Sequence, residues 1–127
     1  MNAIRRVALA LGFVALLATL ALAGCGAAKA SNEVDMGVAA FEQTSVSVKA
    51  GTAVHFVDPN TGGTHIICVG QGTKCVQQAG APAVLNDPTG LQFNQGDSRD
   101  IVFPTAGTYV VVCIIHPGMQ VTVTVTA

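Results

Sequence analysis

Cys113, His116 and Met119 stand at Cys-x2-His-x2-Met spacing, with Pro117 and Gly118 between the last two. A thiolate sulfur, an imidazole nitrogen and a thioether sulfur so close together form a soft donor set. Such a set favours copper over harder ions. A trigonal copper site takes one Cys and two His in its plane and a weak, distant Met on its axis. This stretch supplies three of those four groups. Each residue alone has a plainer reading, because Cys and Met often fill cores and His-Pro-Gly makes a turn. The three together, directly after a strand-like run, point to a metal.

The fourth group must come from His55 or His65, the two remaining histidines. His55 lies between Val54 and Phe56 inside an apolar run. It also reads as a strand histidine on the solvent face, or as one partly buried and hydrogen-bonded. His65 follows Gly62 and Gly63 and opens a strand. A strand mouth is where a ligand can meet a loop at the end of a sheet, so His65 is favoured. Its plainer reading is an edge histidine beside a disulfide.

Four cysteines occur: Cys25, Cys68, Cys75 and Cys113. Residues 1–24 read as an export signal, with Arg5 and Arg6 at the positive end and an uncharged run from Val7 to Leu22. That run is short for a membrane span, which needs ~20 apolar residues. Its end, Leu22-Ala23-Gly24-Cys25, resembles a bacterial lipobox, which implies lipidation of Cys25 as the first mature residue. A plain cleaved signal and an uncleaved anchor are the alternatives. With Cys25 assigned to lipid and Cys113 to metal, Cys68 and Cys75 remain as a disulfide pair, a bond that persists outside the cytoplasm. A second metal on Cys68 and Cys75 is the weaker option, since only His65 lies near them in sequence.

The chain divides into a signal peptide at 1–24, a lipid-anchored tether at 25–33 and one domain at 34–127. After residue 24, Lys29, Lys49, Lys74 and Arg99 face seven acidic residues, a net charge of −3. No basic patch exists, which argues against nucleic-acid binding. The expected location is extracytoplasmic, on the periplasmic or cell-surface face of a bacterial membrane.

The elements that must position the donors read as β throughout. Val34 to Phe41, Ser45 to Lys49, Ala53 to Asp58 and Thr64 to Val69 are predicted strands. So are Ser98 to Phe103, Thr108 to Cys113 and Val121 to Thr126. Ser45 to Lys49 and Val121 to Thr126 alternate strictly, as half-buried strands do. Residues 81–95 are the least readable part, with short strand pieces at Val84-Leu85 and Leu91-Gln92-Phe93 or a single helical turn. Seven or eight short strands without crossover helices make an all-β sandwich or barrel.

Residues 103–125, FPTAGTYVVVCIIHPGMQVTVTV, resemble the copper end of the cupredoxins, the plastocyanin, amicyanin and azurin family. A strand, a Gly-rich loop and Thr-His-Ile-Ile, residues 53–67, are similar to its upstream half. The two-residue gap between His116 and Met119 is similar to amicyanin's short loop. The resemblance implies a Greek-key β-sandwich of about eight strands. It also implies one copper ion cycling between Cu(I) and Cu(II), with His65, Cys113 and His116 as equatorial ligands and Met119 as the axial one. Two features depart from the family's pattern. Ile66 stands where many members have an Asn that braces the Cys loop, and the Cys68–Cys75 pair is extra.

The implied function is single-electron carriage by a membrane-tethered monomer, without enzymatic activity. Redox partner proteins would dock transiently on an apolar patch of Ile114, Ile115, Pro117 and Gly118 around His116. Copper storage or delivery is the alternative. The chain has only three Met and no Met- or His-rich tract, which counts against it. An oxidase with several copper centres would need more histidines than three.

Overall fold

In the computed structural model, residues 29–127 are described. The expected signal at 1–24 and the lipidation site at Cys25 lie outside them. Nine strands follow one another: β1 (Glu33–Asp35), β2 (Ser45–Lys49), β3 (Thr52–Val57), β4 (His65–Gln71), β5 (Lys74–Cys75), β6 (Leu91–Phe93), β7 (Ser98–Phe103), β8 (Gly107–Cys113) and β9 (Gln120–Thr126). One 3-10 turn, Ala83–Leu85, sits between β5 and β6. Among the described residues no helix is long and apolar enough to cross a membrane.

The strands form two sheets. One has the order β1-β3-β7, with β1 parallel to β3. The other runs β2-β9-β8-β4-β5, with β6 also paired to β4 and β2 parallel to β9. Alternation decides which side chains fill the space between them. In β9, Val121, Val123 and Val125 point inward and are buried, while Thr122 and Thr124 between them are half-buried. Val46 and Val48 of β2 do the same. Opposite them, Val54 and Phe56 of β3 and Ile101 and Phe103 of β7 close the core. A period of two on both inner faces is what a two-sheet sandwich requires.

The expected all-β sandwich is therefore present, with nine strands where about eight were expected. The additional one is β5, two residues long. The predicted first strand, Val34 to Phe41, is cut short. β1 ends at Asp35, and the chain then folds back so that Met36 bridges Phe41. Gly37 N–H donates to Ala40 O at 2.7 Å to close that bend. Met36 and Phe41 are both buried, so an apolar stretch that looks extended is two inward contacts joined by a turn.

Tyr109, 1% exposed, fixes the far end of β8. Its hydroxyl lies 2.8 Å from Thr105 O and 3.1 Å from Gly80 O. Cys68 and Cys75 are bonded, as their parity suggested. The bond ties the β4–β5 hairpin beside the segment that carries the 3-10 turn, whose Leu85 is fully buried.

Candidate metal centre

β4 and β8 are antiparallel neighbours, with Ile67 opposite Cys113. His65 therefore opens β4 at the same end of the sandwich at which Cys113 closes β8. The loop after Cys113 returns at once into β9. Within it, Met119 N–H donates to His116 O at 3.1 Å, and Cys113 N–H donates to Met119 O at 3.0 Å. These bonds draw the bend shut and bring His116 back over Cys113. Gly118 takes φ +82°, a left-handed conformation that glycine adopts without a Cβ clash.

His65, Cys113 and His116 converge. One donor atom from each lies within 4.8 Å of the other two. His65 Nδ1 is 3.9 Å and His116 Nδ1 3.5 Å from Cys113 Sγ. The two imidazole rings have centroids 5.0 Å apart. A small ion bonded to sulfur at ~2.3 Å and to ring nitrogen at ~2.0 Å separates its donors by about these distances when they surround it in a plane. The residues present thus fit a single metal ion, and the sulfur makes it a soft one. Cys113 is buried and not in a disulfide. Met119, 1% exposed, packs in the same core cluster as Cys113.

Exposure is uneven across the site. His65 and Cys113 are fully buried, and His116 is half-buried. Around His116, Ile115, Pro117 and Gly118 are exposed and Ile114 is half-buried. Burial lowers the pKa of His65 below that of an ordinary imidazole, and His116 adds to this against the opposing pull of Asp58. His65 is therefore held neutral, the form that can donate a lone pair to a metal.

His55, the other candidate, is elsewhere. It points outward from β3, with its Nδ1 2.6 Å from Asp100 Oδ1 on the neighbouring strand β7. Ile66, which replaces the bracing Asn expected after His65, contributes through its backbone: its carbonyl accepts the N–H of Ile114 at 2.9 Å. That bond links the two ligand-bearing segments directly.

One residue near the site was not singled out from sequence. Asp58, at the end of β3, is fully buried, and neither carboxyl oxygen has a hydrogen-bond partner. Burial pushes its carboxyl up, against the pull of His65 and reinforced by Asp97. Gly62 packs so tightly on it that a Cβ there would stand 1.9 Å from Asp58 Oδ1. In the sequence, Asp58-Pro59-Asn60 signals only a solvated turn.

Solved structures similar to this chain include amicyanins. A reduced Cu(I) form, at pH 4, of a proline-to-glycine variant of amicyanin matches with 24% identity and a TM-score of 0.56, over 79% of this chain and 86% of that one. Amicyanin from Paracoccus versutus matches with 22% identity and a TM-score of 0.54, over 73% and 78%. At these identities the likeness shows the shared fold. No curated protein matches the sequence. The pattern described as copper binding proteins, plastocyanin/azurin family, matches residues 28–126, most of the chain. On that match, which spans well over half of its length, the chain belongs to the plastocyanin/azurin family of copper-binding proteins.

Proposed function

We propose that this protein is a single-electron carrier in which His65, Cys113 and His116 would hold one copper ion, with Met119 as a further sulfur donor. The observation that carries the reading is the convergence of Cys113 Sγ with both Nδ1 atoms at 3.5 and 3.9 Å. Copper bound there supplies a one-electron couple between Cu(II) and Cu(I). The chain's part is to keep the donors still. His65 and Cys113 sit on paired strands, and the loop hydrogen bonds fix His116 against them, so the site is built before the ion arrives. Cys113, His65 and Met119 are buried, which keeps bulk water away from their donor atoms. Cys113 binds as the thiolate, with its proton released to solvent as the metal enters.

The exposed side is His116. Ile115 is 44% exposed beside it, with Pro117 and Gly118. A small apolar surface with few charges suits brief docking of a redox partner. The export signal and the lipobox-like end at Cys25 support attachment to the outer face of a bacterial membrane. Lys29 is already fastened to Asp35. Four residues from Cys25 to Lys29 reach at most ~14 Å, so the domain would ride close to the lipid.

The test is direct. Oxidised protein loaded with Cu(II) is expected to show the intense blue thiolate-to-copper charge-transfer band and a reversible one-electron wave. Cys113→Ser and His65→Ala abolish the blue band, and His55→Ala keeps it. A colourless protein that binds only Cu(I) and hands it to an acceptor refutes electron carriage and supports delivery. Labelling with radioactive lipid precursor, lost in Cys25→Ser, tests the anchor.

A further inference from the structure

The described residues contain three buried side-chain polar atoms without a hydrogen-bond partner: both carboxyl oxygens of Asp58 and Nε2 of His65. They belong to neighbouring groups on either side of one loop. Gly62 packs against the Asp58 carboxyl, and Gly63 lies beside the outer edge of the imidazole, where a Cβ would be 3.9 Å from His65 Nε2. Adjacent glycines of this loop thus border both the buried acid and the proposed metal ligand.

We propose that Asp58 takes up a proton when the copper centre is reduced and releases it on oxidation, so that its charge helps to set the reduction potential. This rests on the copper reading above. A buried carboxylate with no hydrogen bond and no cation is costly, so burial favours the protonated form of Asp58 and nearby positive charge opposes it. Two ionisable groups bear on it, His65 from β4 and Asp97 from the turn before β7. Asp97 disfavours ionisation, and its own carboxylate already accepts the Asn94 N–H at 2.9 Å. His65 is neutral when it ligates, so the positive charge that reaches Asp58 through it is that of the metal. A thiolate with Cu(II) leaves one net positive charge, and with Cu(I) none. Asp58 is therefore the stronger acid in the oxidised protein. On reduction, a one-electron donor supplies the electron and solvent supplies the proton. An O–H bond forms on Asp58 and no other bond changes. Oxidation reverses both transfers.

Asp58→Asn keeps the shape and removes the charge. Voltammetry of copper-loaded wild-type protein and variant across the acidic to neutral range reads the effect. Between the two acidities of Asp58, the wild-type Cu(II)/Cu(I) equilibrium is expected to shift by up to tenfold per pH unit, ~59 mV for a one-electron couple, with the potential falling as pH rises. Asp58→Asn is expected to lose this component and to have the higher potential at the alkaline end. If both proteins are blue and their potentials follow pH identically, the role of Asp58 is overturned while the copper reading stands. If the wild-type protein forms no blue centre, the copper reading itself fails. A second measurement needs no variant: carbon-13 NMR of the Asp58 carboxyl in Cu(I)-loaded protein. Titration above the ordinary carboxylate range supports the proposal, and titration within that range overturns it.

Discussion

Removing the disulfide by Cys68→Ala with Cys75→Ala should cost stability and spare the metal centre. The bond joins residues seven apart in sequence. Closing a loop of that size removes about 8 cal/mol/K from the unfolded chain, which is about 2.5 kcal/mol at room temperature. For a domain of this length each kcal/mol moves the melting temperature by ~4–8 °C, so a drop of about 10–20 °C is expected. The metal centre should survive because of strand alternation. Cys68 follows Ile67 in β4, and Ile67 is the residue opposite Cys113. Side chains of successive strand residues point to opposite faces, so the disulfide leaves the sheet on the side away from the site. The assay is thermal unfolding of copper-free protein by circular dichroism, which avoids stabilisation by bound metal. The visible spectrum of the copper-loaded variant is the control. A melting temperature lowered by less than ~3 °C would refute the loop-entropy argument. A lost or shifted charge-transfer band would refute the claim that the two faces are independent.

Other outcomes follow from single residues. Burial raises the pKa of Asp35, but hydrogen bonds from Lys29 and Gln43 outweigh it and hold the carboxyl below its usual value. Its stabilising contribution is therefore complete above the unfolded carboxylate value of 3.8 and is lost as pH falls through the lower folded value. Asp35→Asn should weaken the fold at neutral pH and flatten the acid limb of a stability-versus-pH curve; an unchanged limb would count against the linkage. Tyr109→Phe leaves Thr105 O and Gly80 O without their hydroxyl partner and should cost about 1–2 kcal/mol in urea denaturation. Gly62→Ala puts a methyl group where Asp58 Oδ1 now sits. It should weaken copper retention against a chelator more than it lowers the copper-free melting temperature, and the reverse order would show that the loop matters only to folding.

Much of the sandwich is legible in the sequence because its inner faces follow a period of two. Ser45–Lys49 and Ser98–Phe103 have the expected bounds, and β8 and β9 begin one residue before them. What stays hidden is structure set by tertiary contact. β5 has two residues and no apolar signal; the Cys68–Cys75 bond and the turn at Gly72 place it. The bend at Gly37 was masked by Met36 and Phe41, whose inward contacts imitate a strand. At the site, Cys113, His116 and Met119 announce themselves by donor type and spacing within one loop. Only its place at a strand mouth distinguishes His65 from His55 in the sequence, and the structure brings His65, not His55, to the cysteine. Asp58 was illegible because the burial of an acid depends on what packs over it, and nothing local encodes that.

The partial exposure of His116 has a consequence for traffic. If electrons enter and leave by that single imidazole edge, the molecule has one door, and a giver and a taker cannot stand in it together. Every round trip then includes a departure, and throughput depends on how fast each visitor lets go. An excess of either one would jam the relay.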